Sequence, residues 1–272
     1  GGKTTLHAPT SQFLTSLLMS SPLAEDDTEI ETLELNEKPY VDMTLWWLAK
    51  LGVRCEHEGY DRFFIPGGQR IPSFQQRIPG DFSSATFFAA AAAVTGSRLL
   101  LQGLDMSDTQ GDKAVFEVLK AMGAKVEVSD AGIAVCGGGP LTGGEFDLNA
   151  TPDALPALAV AACAADGETR LVNVPQARLK ETDRIAVMRR ELSKMGADIS
   201  ELPDGLIIRG GPLKGAKVEG HKDHRVVMAL AVAGLIADGE TEISEAESVA
   251  ITFPNFADLM LRCGATIKSI VS

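Results

Sequence analysis

Cysteine is scarce in this chain. Four occur in 272 residues, at Cys55, Cys136, Cys163 and Cys263, and none lies close to another. That spacing offers no zinc motif and no dense disulfide framework. Each sits among apolar residues, so all four are expected to be reduced core residues of a cytoplasmic protein. Basic residues are in deficit: 25 Lys and Arg face 37 Asp and Glu, a net charge of −12. A general nucleic-acid binder needs the opposite balance. A small anionic substrate is not excluded, because a few local arginines outweigh distant surface charge. Long apolar runs are missing too. The alanine-rich stretch 87–94 is far too short to span a membrane, and no signal or transit peptide pattern is visible. No metal, cofactor, nucleic acid or membrane is expected. What is present, 45% hydrophobic and 23% charged, is the composition of a globular protein with one or two domains.

Against that background the chain repeats itself. Leu-Ala-Lys-Leu-Gly-Val-Arg-Cys-Glu ends at Glu56, Leu-Lys-Ala-Met-Gly-Ala-Lys-Val-Glu at Glu127, Leu-Ser-Lys-Met-Gly-Ala-Asp-Ile-Ser at Ser200, and Met-Leu-Arg-Cys-Gly-Ala-Thr-Ile-Lys at Lys268. The shared glycines, Gly52, Gly123, Gly196 and Gly264, are 71, 73 and 68 residues apart. A period of that size is one supersecondary unit used repeatedly.

Each copy opens with a short extended segment and a first helix of small apolar residues, at 11–20, 83–94, 153–164 and 223–236. A strand follows, at 28–35, 97–102, 169–174 and 241–244. A second, amphipathic helix facing outward or toward a cleft ends at the marker glycine, which suits a left-handed helix C-cap. Two strands close the unit, as at 124–128 and 132–136. The pattern is βαβαββ, an α/β (α+β) fold. First helices apolar on all sides are expected to be buried, and small side chains let them pack closely. Gly67-Gly68, Gly137-Gly138 and Gly210-Gly211 mark the seams. The chain opens on a similar pair, Gly1-Gly2, and its fourth copy has one closing strand before Ser272. Both ends lead us to expect a part of a larger repeat assembly.

Four signals break the pattern. The run from Arg178 to Arg184 places five charged groups within seven residues at the start of a second helix, with Lys180 and Arg184 on one helical face. It can bind an anion and move a proton, or it can be an exposed, salt-bridged helix start. Thr151-Pro152-Asp153 opens a buried helix, where Asp also serves as an N-cap. Asp223-His224-Arg225 occupies the same place in the fourth copy, and an arginine opening a buried helix needs a partner. Thr10-Ser11-Gln12, with Ser83-Ser84 in the second copy, puts hydroxyls at helix N-termini that suit a phosphate or simple capping equally. If the first helices point the same way, their dipoles converge on one anion-attracting cleft.

At these residues the chain resembles the 5-enolpyruvylshikimate-3-phosphate synthases of the enolpyruvyl transferase family. The resemblance is carried by Thr10-Ser11-Gln12-Phe13-Leu14, Lys38-Pro39-Tyr40-Val41-Asp42, Gly80-Asp81-Phe82-Ser83-Ser84-Ala85, Pro152-Asp153-Ala154, Arg178 to Arg184, Asp223-His224-Arg225 and Phe253-Pro254. It implies an inverse α/β prism with buried parallel helices, two domains of three units each. It implies joining of shikimate 3-phosphate to phosphoenolpyruvate with release of phosphate. Residues 1–78 would be the last unit of the first, shikimate-phosphate-binding domain. Residues 79–272 would be the second domain, with units 79–148, 149–212 and 213–272. About two units would be supplied by a complementary N-terminal polypeptide, without which the chain is expected to be inactive.

By position, the resemblance makes Asp153 the acceptor of the shikimate 5-hydroxyl proton and Glu181 the donor to the methylene carbon of phosphoenolpyruvate. Glu181 would then need a raised pKa, from desolvation or a second carboxylate. Lys180 joins them as catalytic and contacts shikimate 3-phosphate. Arg184 and Arg225 hold the phosphoenolpyruvate carboxylate, for which arginine geometry is apt. Thr10 and Ser11 bind the 3-phosphate, Gln12 lines the ring, and Tyr40 and Gln176 are further substrate contacts. Glu37 stands where many relatives have a phosphate-binding serine, and is left outside the expected site because it would repel a phosphate. Ile251 stands where some have a phosphate-binding lysine. Two alternatives share the fold: a UDP-sugar enolpyruvyl transferase, against which the Lys180 to Arg184 run argues, and a non-catalytic binding protein, against which retention of Asp153 and Glu181 argues.

Overall fold

Four glycines end four helices in the same way. In the computed structural model, which describes residues 1–268 and 270, Gly52, Gly123, Gly196 and Gly264 have φ of +73°, +108°, +89° and +96°. Each N–H bonds to the carbonyl three residues back. The next residue's N–H reaches five back: Val53 to Leu48, Ala124 to Leu119, Ala197 to Leu192, Ala265 to Met260, at 2.9–3.0 Å. This closure needs a left-handed residue, which only glycine adopts freely.

The chain forms two compact units. The first comprises Gly1–Pro79 with Met106–Gly111. Its elements are β1 (Gly2–Ala8), α1 (Ser11–Ser20), β2 (Thr28–Leu35), α2 (Lys38–Lys50), β3 (Glu56–Glu58) and β4 (Arg62–Ile65). The sheet order is β1-β2-β4-β3, with β1 and β2 parallel and the other pairs antiparallel. Strand β2 alternates as a half-buried strand must: Thr28, Ile30 and Thr32 face in, Glu29 and Glu31 face out. Leu14, Leu18, Ile30, Val41, Leu48, Phe63 and Ile65 form its core. Helix α1 is less buried than expected, with Phe13 and Met19 both over half exposed.

The second unit comprises Gly80–Asp105 and the chain from Asp112 onward. Its second-copy elements are α3 (Phe82–Thr95), β5 (Arg98–Leu101), α4 (Val115–Ala121), β6 (Lys125–Ser129) and β7 (Gly132–Cys136). Then come β8 (Leu141–Thr142), β9 (Glu145–Asp147), α5 (Leu155–Cys163), β10 (Ala165–Asp166), β11 (Glu168–Val172), α6 (Arg184–Lys194), β12 (Asp198–Leu202) and β13 (Gly205–Arg209). The fourth copy gives β14 (Lys217–Glu219), α7 (His224–Gly234), β15 (Glu242–Ser244) and α8 (Phe256–Arg262).

The sheets repeat one plan. The third copy, β9-β11-β13-β12, matches the first strand for strand, with β9 and β11 parallel. The second copy, β5-β7-β6, has the same plan without an opening strand. Residues 69–81 form none; Pro72 and Pro79 remove two of their backbone donors. The fourth copy shows only the opening parallel pair, β14-β15. The closing strand expected after Gly264 is not formed over 265–268, where no partner strand lies beside it among the described residues. The expected end of that copy at Ser272 lies outside the described residues. The seams are tight as well: a Cβ at Gly210 would stand 1.6 Å from the Ala165 carbonyl oxygen.

Helices α3, α5 and α7 pack on one another in the centre of this unit. All nine residues of α5 are buried, as are ten residues of α3 and eight of α7. Alanine dominates the contacts, which lets the helices approach closely. Helix α6 has an apolar buried face and exposes Arg189 and Arg190, and it also buries two charges, Arg184 and Glu191. The four cysteines are unpaired thiols. Cys163 is buried, but Cys55 and Cys136 are only half-buried. Cys263 is exposed, contrary to expectation, because it lies at the C-cap of α8 with no closing hairpin over it among the described residues. No helix among the described residues is long and apolar enough to cross a membrane.

The helix trio has a direct test. Ala159 is fully buried in α5. Ala159→Leu should destabilise the protein by about 1–3 kcal/mol, the usual cost of overpacking a dense core. An unchanged urea midpoint with an unchanged slope would show that the helices do not pack this closely.

Candidate active site

The openings of α5, α6 and α7 meet at one arginine. Arg184, the first residue of α6, is completely buried. Its Nε donates to Asp223 at 2.8 Å, and Nη2 donates to the other oxygen of Asp223 at 3.2 Å. Nη1 donates to Asp153 at 2.7 Å, and Nη2 to Glu181 at 2.6 Å. One planar guanidinium therefore holds three carboxylates, a task that suits its fixed fork of donors.

Two further cations and two hydroxyls complete the cluster. Arg225 approaches the second oxygen of Asp153 at 3.1 Å and donates to the hydroxyl of Ser83. Lys180 Nζ lies 4.0 Å from Asp153. Thr182 donates to Asp223 at 3.3 Å. Ser83, Asp153 and Arg225 stand at the openings of α3, α5 and α7, so these three N-termini converge within side-chain reach. That is the expected convergence for the three helices of this unit.

The electrostatics follow from burial opposed by charge. Burial pushes the Asp153 carboxyl up, but Arg225, Arg184 and Lys180 outweigh it and hold the pKa at about 2. Asp223 is likewise below the usual carboxylate range, burial being overcome by Arg184. Arg184 is raised: burial lowers it, and Asp153 and Asp223 raise it further. His224 is lowered, by burial and Arg225 against Asp223 and Glu181. Its Nδ1 lies 3.9 Å from Glu181, whose side chain is 46% exposed.

The Arg178–Arg184 run is used differently from the expected helical face. Residues 175–179 form a 3₁₀ turn, Lys180 is extended, and α6 starts only at Arg184. The reason is Asp183, which caps α6 by accepting from Ala186 N at 3.0 Å. Arg178 holds Asp183 at 2.7 Å and also binds Glu201 and the carbonyls of Leu202 and Pro203. Arg178 is thus a clamp, while Lys180 and Arg184 still reach the same carboxylate, Asp153.

Gln176 is buried in that turn and donates to the Asn149 carbonyl at 3.0 Å. Its Oε1 is buried without a partner among the described residues. The other expected site residues belong to the first unit. Thr10 and Ser11 are buried at the start of α1, Gln12 is exposed, and Tyr40 is half-buried in the first turn of α2. Ser11 donates from its N–H and its hydroxyl to Glu37, at 3.0 and 2.7 Å. Among the described residues no group of three or more His, Cys, Asp or Glu is arranged to hold a metal ion.

Sequence reasoning singled out the Asp223-His224-Arg225 run but gave Asp223 no role of its own, and it missed Glu191. Asp223 caps α7, accepting from Arg225 N at 2.9 Å, and was legible only as a cap. Glu191 is completely buried and accepts from Lys194, Glu219 N and His221 at 2.6, 2.9 and 3.0 Å. This ties α6 to Glu219 and to His221, the first of two left-handed residues immediately before Asp223. The available signal was its place three residues after buried Met188, on the apolar face of α6.

Known proteins share this sequence and fold along nearly the whole chain. A family model described as EPSP synthase (3-phosphoshikimate 1-carboxyvinyltransferase) matches residues 1–260. The chain is 58% identical over 269 residues to a 3-phosphoshikimate 1-carboxyvinyltransferase of Acetivibrio thermocellus, covering 99% of this chain and 63% of that protein. It is 48% identical over 271 residues to one of Methanocella arvoryzae, covering 98% and 64%. Two structures of EPSP synthase from Acinetobacter baumannii superpose with TM-scores of 0.80 and 0.82, at 31% and 30% identity. They cover 98% and 99% of this chain and 64% of theirs. The chain therefore spans just under two thirds of the length of the relatives it matches.

Arg184 should be the counter-ion on which the site's carboxylates depend. Asp153 has a folded-state pKa below its unfolded value, so its stabilisation is present above about pH 4 and lost as pH falls through about 2. Asp223 shifts in the same direction. Arg184→Leu should cost about 3–5 kcal/mol near neutral pH, the penalty for orphaning buried charges, and that cost should shrink as pH falls, because protonation relieves carboxylates that have lost the cation holding their pKa down. Denaturant titrations at a series of pH values check both. A variant as stable as the parent, with the same acid limb, would show that the carboxylates find other partners.

Proposed function

The chain belongs to the EPSP synthase family, and on that premise we propose that it carries the acid–base half of enolpyruvyl transfer. The reaction joins phosphoenolpyruvate to the 5-hydroxyl of shikimate 3-phosphate. The observation that carries this reading is Asp153: a carboxylate kept ionised by Arg225, Arg184 and Lys180 at three converging helix N-termini.

The roles follow from the chemistry. The 5-hydroxyl oxygen bonds to C2 of phosphoenolpyruvate, and Asp153 takes the hydroxyl proton. Glu181 gives a proton to the methylene carbon, which becomes a methyl group. The double bond is restored when that carbon returns a proton to Glu181, by then a carboxylate, as the C–O bond breaks and phosphate leaves. Asp153 in its triple cation cage is a weak base. A bound phosphoenolpyruvate carboxylate that engages Arg225 would draw it from Asp153 and strengthen the base at the moment of use. Arg184, already holding three carboxylates, anchors this arrangement, and Lys180 and Gln176 supply further substrate contacts. In the first unit Thr10, Ser11, Gln12 and Tyr40 are assigned to shikimate 3-phosphate.

Residues 1–78 are read as the last repeat of the shikimate-phosphate-binding domain and 79–272 as the second domain. Because the relatives' activity belongs to their whole length, turnover is proposed for the chain together with a polypeptide covering the remainder. That partner is about 150 residues, or two repeats. A cytoplasmic location is part of this reading, and unpaired thiols, which suit a reducing compartment, support it.

In the complemented enzyme, Asp153→Ala or Glu181→Gln should lower turnover about a hundredfold or more, as loss of a general acid or base does. Arg225→Ala should raise the Michaelis constant for phosphoenolpyruvate more than that for shikimate 3-phosphate. A phosphate-release assay measures both effects. Near-normal turnover in either carboxylate variant would remove its assigned role, and full activity of the unaccompanied chain would remove the need for a partner.

A further inference from the structure

Helix α1 borrows its cap. Thr10, at the N-cap position, makes no side-chain bond to the helix. Glu37 acts instead from 26 residues away, one carboxylate oxygen accepting both the N–H and the hydroxyl of Ser11. Glu37 is 1% exposed, and its backbone is left-handed, with φ 60° and ψ 41°. A buried carboxylate and a left-handed non-glycine residue each cost free energy. Capping alone requires neither, since Asp81 on α3 and Asp223 on α7 cap from the N-cap position itself.

The two donors of Ser11 form a short anion-binding fork at the positive end of a ten-residue helix. A phosphate oxygen would need those same two donors. Its charge would also stand against Glu37 at hydrogen-bonding distance, a like-charge contact. Phosphate and Glu37 cannot both hold Ser11.

We propose that Glu37 is an internal anion that competes with the phosphate of shikimate 3-phosphate for Ser11, so that its carboxylate must leave the α1 N-terminus before substrate binds there. Glu37 thereby sets substrate affinity without taking part in proton transfer. This rests on the reading of Ser11 as a phosphate contact. The left-handed backbone favours release: residue 37 is the hinge between β2 and α2, and a rotation there moves the carboxylate while Pro39 keeps the first turn of α2 in place.

The test uses the full chain and two variants. Glu37→Ser removes the anion, and Glu37→Gln keeps an acceptor of nearly the same shape without charge; thermal melts establish that each is folded. Inorganic phosphate, followed at the Ser11 amide resonance, should shift that resonance in the variants at concentrations that leave the parent unmoved. Shikimate 3-phosphate, followed by calorimetry, should bind the variants at least about tenfold more tightly, the effect of removing one like-charge contact. Equal phosphate response in parent and variants, or none in any of them, would overturn the proposal. Equal shikimate 3-phosphate affinity would overturn it while leaving the substrate assignment standing. Phosphate binding gained without any binding of shikimate 3-phosphate would keep the competition and overturn the substrate assignment.

Discussion

The second unit is organised around a buried guanidinium. A charge taken out of water costs several kcal/mol unless its partners repay it, and Arg184 is repaid three times, by Asp223, Asp153 and Glu181. Each partner opens or precedes a different helix. The guanidinium therefore does more than neutralise charge: it fixes the relative rotation of α5, α6 and α7 at their N-terminal ends. Removing it would leave two nearly inaccessible carboxylates facing each other across an empty centre. The same centre explains why Arg225 can stay beside Asp153 rather than turning to solvent, since the excess of carboxylates there needs a second arginine.

That centre exists because of the repeat. Small residues let α3, α5 and α7 lie close and side by side, and the four identical glycine closures return the chain to the same sheet geometry after each second helix. Helices delivered in register put their N-terminal residues at one level. Side chains of ordinary reach, Ser83, Asp153 and Arg225, then touch although they lie as far as 142 positions apart in sequence. The polar cluster is tolerated only because the apolar trio beneath it supplies the burial energy and excludes water from its lower side.

The repeat, the glycine closures, the first copy's strands and the small-residue helices were legible because each rests on local chemistry: periodicity, a left-handed cap, alternation. Helix 11–20 and strands 28–35 and 132–136 have the bounds read from the residues. Local reading failed where a distant partner decides. Lys180 lies outside α6 because Asp183, held by Arg178, caps the helix three residues later. The strand after Gly264 is absent over 265–268 because a strand needs a neighbour. Cys263 is exposed for the same want of cover. In the site, the charged residues were found by their concentration, but how Arg184 spends its donors could not be, since Asp223 is 39 positions away. Glu37 was judged by the sign of its charge and set outside the site, whereas the fold brings it onto Ser11.

Helix dipoles attract anions, but here the chain supplies most of the anions itself. Glu37 sits on α1, Asp81 on α3 and Asp223 on α7, each accepting from backbone N–H groups at the helix start. Three of the four first helices thus have their N-terminal charge already answered. Asp153, in the turn leading into α5, differs: its oxygens face Arg184 and Arg225. Lys180 stands near it as well, so three cations surround this carboxylate, which is not the N-cap of α5. An anionic substrate entering such a site exchanges partners instead of filling an empty charge. Each exchange frees a carboxylate, and a carboxylate released from its cations is a stronger base than the one in the resting site. Under the role proposed for Asp153, binding and activation of the base would be one event, and affinity for the substrate anion would be converted into proton-accepting power at that carboxylate.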